Sequence, residues 1–225
     1  MMKQRRQMRT NRGCLDDMDE HGTNCPKVEN MEAMKYVEGV AIHELLLKRR
    51  SGRSFDANRP LTNEDIHALL EAARWAPSGG NLQPWRFVMG RKGDATHDTL
   101  TALLAEFIRQ WAQFAPALVL TVYQTARVAS DGNVQPNRTA QHDLGMANLS
   151  LAIEAVNRGM MTRMMGGFDR DAALKLIEAE ANHLDVGPII AVGYEAEPIH
   201  LSEEIQKRDK MPRTRKPIEE LLLKI

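Results

Sequence analysis

Residues 137–159 constrain this chain most. They carry Leu144, Met146, Leu149, Leu151, Ile153 and Val156 around most of a helix's girth, interleaved with Gly145, Ala147, Ser150, Ala152 and Ala155. A surface helix has one apolar stripe; a helix apolar on nearly all sides has to be buried. Its small residues let a second helix approach closely. The body is therefore expected to assemble around this helix, and the helix suits the centre of a dimer. His142-Asp143 at its start reads as a polar helix entrance, since no second His or Cys stands at metal-ligand spacing.

The elements around it follow from apolar periodicity. Residues 117–123 and 185–194 are continuous apolar runs and read as buried strands, and 86–89 reads as a third. Residues 41–50 read as a short helix with Ile42, Leu45 and Leu46 facing inward. Thr62, with Asp65 three residues on, reads as a capping box opening a helix whose buried stripe is Ile66, Leu69, Leu70 and Ala73. A single helix is expected over 98–114, with Leu100, Leu103, Leu104, Phe107 and Trp111 inward, and another over 169–181. Residues 125–136 read as a short polar loop, and 218–225 as an apolar terminal arm packing on a partner subunit. Helices alternating with three or four strands make an α/β or α+β layer architecture.

Composition excludes several classes. Thirty basic and thirty acidic residues cancel, so charge gives no reason to expect a nucleic-acid or membrane partner. No apolar run is long enough to span a bilayer. Residues 1–36 are polar and lack periodicity, and read as a disordered leader ahead of one domain at 37–225. Both cysteines, Cys14 and Cys25, fall in that leader, so a cysteine nucleophile is not expected. The location read from this is the cytoplasm. The dinucleotide G-x-G-x-x-G signature, the phosphate P-loop and the G-x-S-x-G elbow are all absent.

Three stretches carry chemistry. The first is Arg49-Arg50-Ser51-Gly52-Arg53; guanidiniums fork onto phosphate oxygens, and the cluster exceeds what a helix end needs. The second is Ala76-Pro77-Ser78-Gly79-Gly80-Asn81-Leu82-Gln83-Pro84-Trp85. There Pro77 stops a helix, the glycines let backbone approach a ligand, and Pro84 biases Gln83 towards an extended conformation. Trp75 and Trp85 read as core or interface packing. The third is Met164-Met165-Gly166-Gly167-Phe168-Asp169, whose glycines bare backbone amides before a helix. A densely basic stretch, Lys207 to Lys216, contains Arg213 and Arg215.

In this order and separation the motifs resemble those of the nitroreductase family of FMN-dependent oxidoreductases, from about residue 40 to the C-terminus. The resemblance implies an α+β nitroreductase-like fold, with a central mixed or antiparallel sheet flanked by helices, in an intertwined homodimer. It implies that Arg49, Arg50, Ser51, Arg53, Arg213 and Arg215 hold the FMN phosphate. It implies that Pro77, Ser78, Gly79, Asn81 and Gln83 reach the flavin ring from the opposite subunit, and that the backbone at Gly166 and Gly167 lies by flavin N5. Some members place an Asn and a Lys at the pyrimidine edge; this chain has Ile108 and Trp111 near those positions, with Arg109 and Gln113 as the polar candidates.

The activity so implied is electron transfer from NADH or NADPH through bound FMN to a nitroaromatic, quinone or related small-molecule acceptor. It proceeds by ping-pong kinetics and needs no protein acid, base or metal. The rival readings are a reductive dehalogenase of iodotyrosine type, a flavin-fragmenting enzyme of cobalamin-ligand synthesis, and a non-catalytic flavin-binding redox module. Both rival enzymes would want a longer substrate lid than residues 125–136 allow.

Overall fold

The computed structural model describes residues 42–128 and 131–223. The expected leader, with both cysteines, lies outside the described residues. The chain divides into a body, Val37–Met211, and a second unit that takes in Pro212–Ile225.

In chain order the body runs α1 (Glu44–Lys48), α2 (Asn63–Arg74), β1 (Trp85–Arg91), α3 (Ala95–Leu103), α4 (Glu106–Ala112), β2 (Ala117–Gln124), β3 (Ala126–Val128), β4 (Val134–Pro136), α5 (Ala140–Asn157), β5 (Met161–Met165), α6 (Arg170–Leu176), α7 (Ala179–Asn182), β6 (Leu184–Gly193) and α8 (Glu203–Asp209). The main sheet has the order β1-β2-β6-β5, and all its pairs are antiparallel. This is the expected α+β class.

Side chains on β2 alternate between two cores, as strand geometry requires. Val119 and Tyr123 join Leu69 and Ala73 of α2 and Leu144, Ala147 and Leu151 of α5 on one face. Leu118, Leu120 and Val122 join Leu100, Leu104 and Trp111 on the other. Helices thus cover both faces, which is why β2 reads as an unbroken apolar run. The β2–β6 register slips between Leu120 and Val122. Pro188 has no N–H for the ladder there, and its carbonyl accepts the Thr121 hydroxyl at 2.8 Å instead. A Cβ on Gly187 would lie 2.6 Å from Leu144 of α5, so only glycine lets that helix pack this closely.

Several expectations are corrected. The single helix at 98–114 is two, broken where Leu104 turns extended (ψ 139°) and bridges Phe168. Hydrogen bonds from Ala105 N to Gly167 O (3.0 Å) and from Asp169 N to Leu103 O (2.9 Å) replace the helix ladder at the break. Phe107 faces solvent, 63% exposed, rather than inward. The helix at 169–181 is also two, separated by Glu178 in a left-handed conformation. The loop at 125–136 contains the β3–β4 hairpin. The Met-rich stretch supplies β5, a strand that periodicity missed. The helix expected over 41–50 is only Glu44–Lys48, and Ile42 ahead of it and Leu46 within it are exposed rather than packed inward. The Thr62–Asp65 capping box forms as expected.

The second unit carries a 3₁₀ turn at Ile218–Leu221 and an exposed ion pair, Lys216 to Glu220 at 3.4 Å.

Candidate functional site

The arginine-rich segment leaves α1 and runs along the end of β6. Phe55, 1% exposed, pins it: it bridges Glu195, and its ring stacks 6.4 Å from Trp111. Backbone bonds from Asp56 N to Tyr194 O (2.9 Å) and from Ala196 N to Ser54 O (3.0 Å) complete the anchor. The segment's arginines are thereby held at fixed positions. Arg49 donates to Ser51 Oγ at 3.4 Å. Arg50 pairs with Glu195. Arg53 pairs with Asp209 of α8, whose Oδ2 also accepts the Arg53 backbone N–H at 2.8 Å.

Arg163 on β5 meets this segment from the side, and sequence reasoning passed it over. It donates to the Ser51 carbonyl at 2.5 Å, and its guanidinium lies 5.3 Å from the centre of the Trp111 ring. Burial and then the neighbouring Arg53 push its pKa down, against a smaller opposing pull from Asp209. A lone arginine among methionines in 160–165 was the available signal.

Arg53 and Arg163 open onto a cleft of about 250 Å³ whose other walls include Trp111, Ile108, Met165, Gly166 and Arg208. Arg109 and Gln113, the residues expected to serve the pyrimidine edge, do not line it; Arg109 is paired with Glu106 at 2.9 Å. Gly166 has open space where a Cβ would stand. Gly167 is a packing glycine, since a Cβ there would lie 2.7 Å from Ile108. A larger hollow, about 980 Å³, lies between α6, α7 and β6, but it contains none of the expected site residues, and its Arg170 is already paired with Asp185.

The loop at 78–83 is built separately, over α2 and the start of α5. Gly80, Asn81 and Gln83 take left-handed φ values of 58°, 56° and 46°. Gln83 is therefore not extended as expected. The Ser78 Oγ accepts its N–H at 3.1 Å, and its own Nε2 donates to Asn81 Oδ1 at 3.1 Å, and these bonds fold it back. Asp143, read from sequence as a mere helix entrance, is buried and organises this loop. Its Oδ2 accepts the Gly79 N–H at 3.1 Å and the Thr139 hydroxyl at 3.0 Å. Pro77 is exposed at the mouth of the loop, Trp75 is 76% exposed, and Trp85 is core.

Within one protomer, then, Arg53 and Gly166 line the cleft and Ser51 adjoins it through the bond from Arg163 to its carbonyl, while 77–83 forms a second cluster that does not line it. Arg213 and Arg215 belong to the second unit, where Arg215 donates to the Thr214 carbonyl at 2.7 Å. Among the described residues no cluster suits a metal ion, and no helix is long and apolar enough to cross a membrane.

An antiparallel sheet clad by helices on both faces, with an arginine-lined cleft at one sheet edge and a glycine-rich loop beside the long helix, defines the α+β class of this protein. This chain belongs to the nitroreductase family: residues 46–118 match the family description "Nitroreductase family". Protein DrgA of Synechocystis is 30% identical over 178 residues, covering 68% of this chain and 84% of DrgA. Iodotyrosine deiodinase 1 of Rattus norvegicus is 25% identical over 175 residues, and the match spans 61% of that protein. A solved structure described as an oxidoreductase containing FMN superposes with a TM-score of 0.78 at 29% identity, covering 82% of this chain and 92% of that one.

Proposed function

We propose that this chain binds FMN and passes electrons from NADH or NADPH to a small-molecule acceptor such as a nitroaromatic or a quinone. The observation that carries this reading is the meeting of Arg53 and Arg163, the latter bonded to the Ser51 carbonyl, with Met165 and Gly166 around a cleft walled in part by Trp111. The donor set fits the cofactor. Guanidiniums donate only, which suits phosphate and ring carbonyl oxygens, and Trp111, Ile108 and Met165 suit a planar ring. At about 250 Å³ the cleft is smaller than the roughly 300–1,000 Å³ usual for such ligands. That shortfall, and the separation of the 77–83 cluster, support a site completed across a homodimer.

The dimer surface proposed is the outer stripe of α5. Gly145 is open to solvent and Leu149 is 47% exposed, on a helix whose other faces carry the buried Leu144, Ala147, Leu151 and Ala155. In that arrangement Arg49, Arg50, Ser51 and Arg53 hold the phosphate side. Pro77, Ser78, Gly79, Asn81 and Gln83 approach from the partner. The backbone of Gly166 and Gly167 lines the ring's edge, with Gly167 setting how closely α4 packs beneath it.

FMN supplies the redox chemistry, accepting a hydride and passing on electrons. The chain's own work is to hold the ring, exclude competing geometry and leave one face free for donor and acceptor in turn. Ping-pong kinetics follow. The test is direct: the purified protein is yellow and releases FMN on denaturation, and it oxidises NADH or NADPH when a nitroaromatic or quinone is present. A colourless protein that takes up no added FMN refutes the reading. Intersecting initial-rate lines refute the ping-pong element alone. The Arg49→Ala, Arg53→Ala double variant is expected to lose FMN, and full retention would remove those residues from the phosphate site.

A second reading, reductive removal of halogen from a halogenated phenol, is supported by the likeness to iodotyrosine deiodinase 1. Turnover of halotyrosine under reducing conditions distinguishes it. FMN binding without oxidation of NADH or NADPH by any acceptor would favour a flavin-binding module.

A further inference from the structure

Arg163 poses an electrostatic problem that the fold leaves open. It shares its cleft with Arg53, Arg208 and Glu204; Glu204 pairs with Arg208 at 3.4 Å, and the nearby Asp209 already takes both the guanidinium and the backbone N–H of Arg53. The contacts of Arg163 itself are neutral: the Ser51 carbonyl and the face of Trp111. Among the described residues no carboxylate pairs with it. A partly buried cation beside a like charge, without a counter-ion of its own, is an unfavourable arrangement. Its lowered pKa has the same cause. A ligand bearing negative charge would offset that cost. Trp111, Ile108 and Met165 give part of this cleft an apolar wall of the kind a flat ring can lie against.

We propose that Arg163 is a further cofactor-holding residue, facing the carbonyl-rich edge of the FMN ring while Arg53 serves the phosphate side, and favouring the reduced, negatively charged state of that ring. The proposal rests on the FMN reading above. It places at this edge a cation that the sequence around Ile108 and Trp111 does not supply, and delivers it from β5.

Phosphate contact and ring contact are separable by measurement. A residue that touches only the phosphate binds oxidised and reduced FMN equally, so its loss weakens affinity and leaves the reduction potential unchanged. A residue that faces the ring binds the two states unequally, so its loss moves the potential. The experiment is equilibration of the FMN-loaded protein with a reference dye under reducing titration, for the wild type, Arg163→Gln, Arg163→Lys and Asp209→Asn. Gln can still donate to the Ser51 carbonyl but carries no charge.

The expected result for Arg163→Gln is a tenfold or greater loss of preference for the reduced flavin, which is a fall of about 30 mV for a two-electron couple. Arg163→Lys keeps the wild-type potential. Asp209→Asn, which removes the negative charge held against Arg53 and felt by Arg163, moves the potential upward. An unchanged potential in Arg163→Gln, or an equal fall in Arg163→Lys, overturns the proposal. Should Arg163→Gln release its flavin, the Asp209→Asn arm decides, and a potential at or below the wild type's overturns it. A wild-type protein that binds no FMN overturns the flavin reading itself, and the two failures are thereby distinct.

Discussion

Asp143 ties the long helix to the glycine-rich loop, and its removal has a calculable cost. Its side chain is 2% exposed, and one oxygen accepts both the Gly79 N–H and the Thr139 hydroxyl. Hydrogen bonds to a charged group contribute roughly 1.5–3 kcal/mol each. Two such bonds set an upper range of about 3–6 kcal/mol. Gly79 is exposed, so water replaces its lost partner, and Thr139 keeps its bond to Asn137 at 3.2 Å. Both facts pull the net cost towards about 2–3 kcal/mol for Asp143→Ala. Asp143→Asn retains an acceptor in the same place and loses only the charge assistance, so about 1 kcal/mol is expected. Urea unfolding of the three proteins, with unchanged slopes, reads these differences. Hydrogen exchange at the Gly79 amide, faster in the Ala variant than in the Asn variant, places the effect in the loop. If Asn costs as much as Ala, or Ala costs less than about 0.5 kcal/mol, the expected range for a neutral surface change, Asp143 does not anchor the loop and the reasoning fails.

Three further outcomes are expected. Burial alone would raise the pKa of Asp65, but bonds from the Thr62 hydroxyl and amide, Arg158 and Tyr194 outweigh it and hold the carboxyl low. A group whose pKa is lower folded than unfolded stabilises above its unfolded value, about 3.9, and that stability fades as pH falls through the folded value. The stability gap between wild type and Asp65→Asn should therefore be flat near neutrality and close below about pH 4, and a gap that widens in acid contradicts the assignment. Gly90→Ala places a Cβ 2.3 Å from the His97 backbone nitrogen, so β1 and α3 must separate; thermal and urea unfolding should show a loss at or above the usual ~1–3 kcal/mol of overpacking. Leu149→Arg on the outer stripe of α5 should yield a monomer in sedimentation velocity that also loses FMN; an FMN-loaded dimer would move the interface elsewhere.

Local pattern alone determined much of this protein. The capping box at Thr62, the apolar run of β2 and the girth of α5 each follow from short-range chemistry, because periodicity reports directly which faces meet a core. The arginine cluster at 49–53 and the glycine-rich loop were likewise legible, since guanidiniums and glycines each serve few purposes at such density. Tertiary structure decided the rest. Leu104 leaves its helix because Phe168, far along the chain, offers a bridging partner, and no local window contains that partner. Gln83 turns left-handed because Ser78 captures its amide, overriding the bias of the following proline. Arg163 is the one charged residue of a Met-rich strand and Asp143 one of several polar residues at a helix start; their importance comes from what packs beside them, Arg53 and Trp111 in one case and Gly79 in the other. Sequence states which groups are available, but only the folded chain sets the distances that turn a group into a site, because those distances depend on strands and helices that are remote along the backbone.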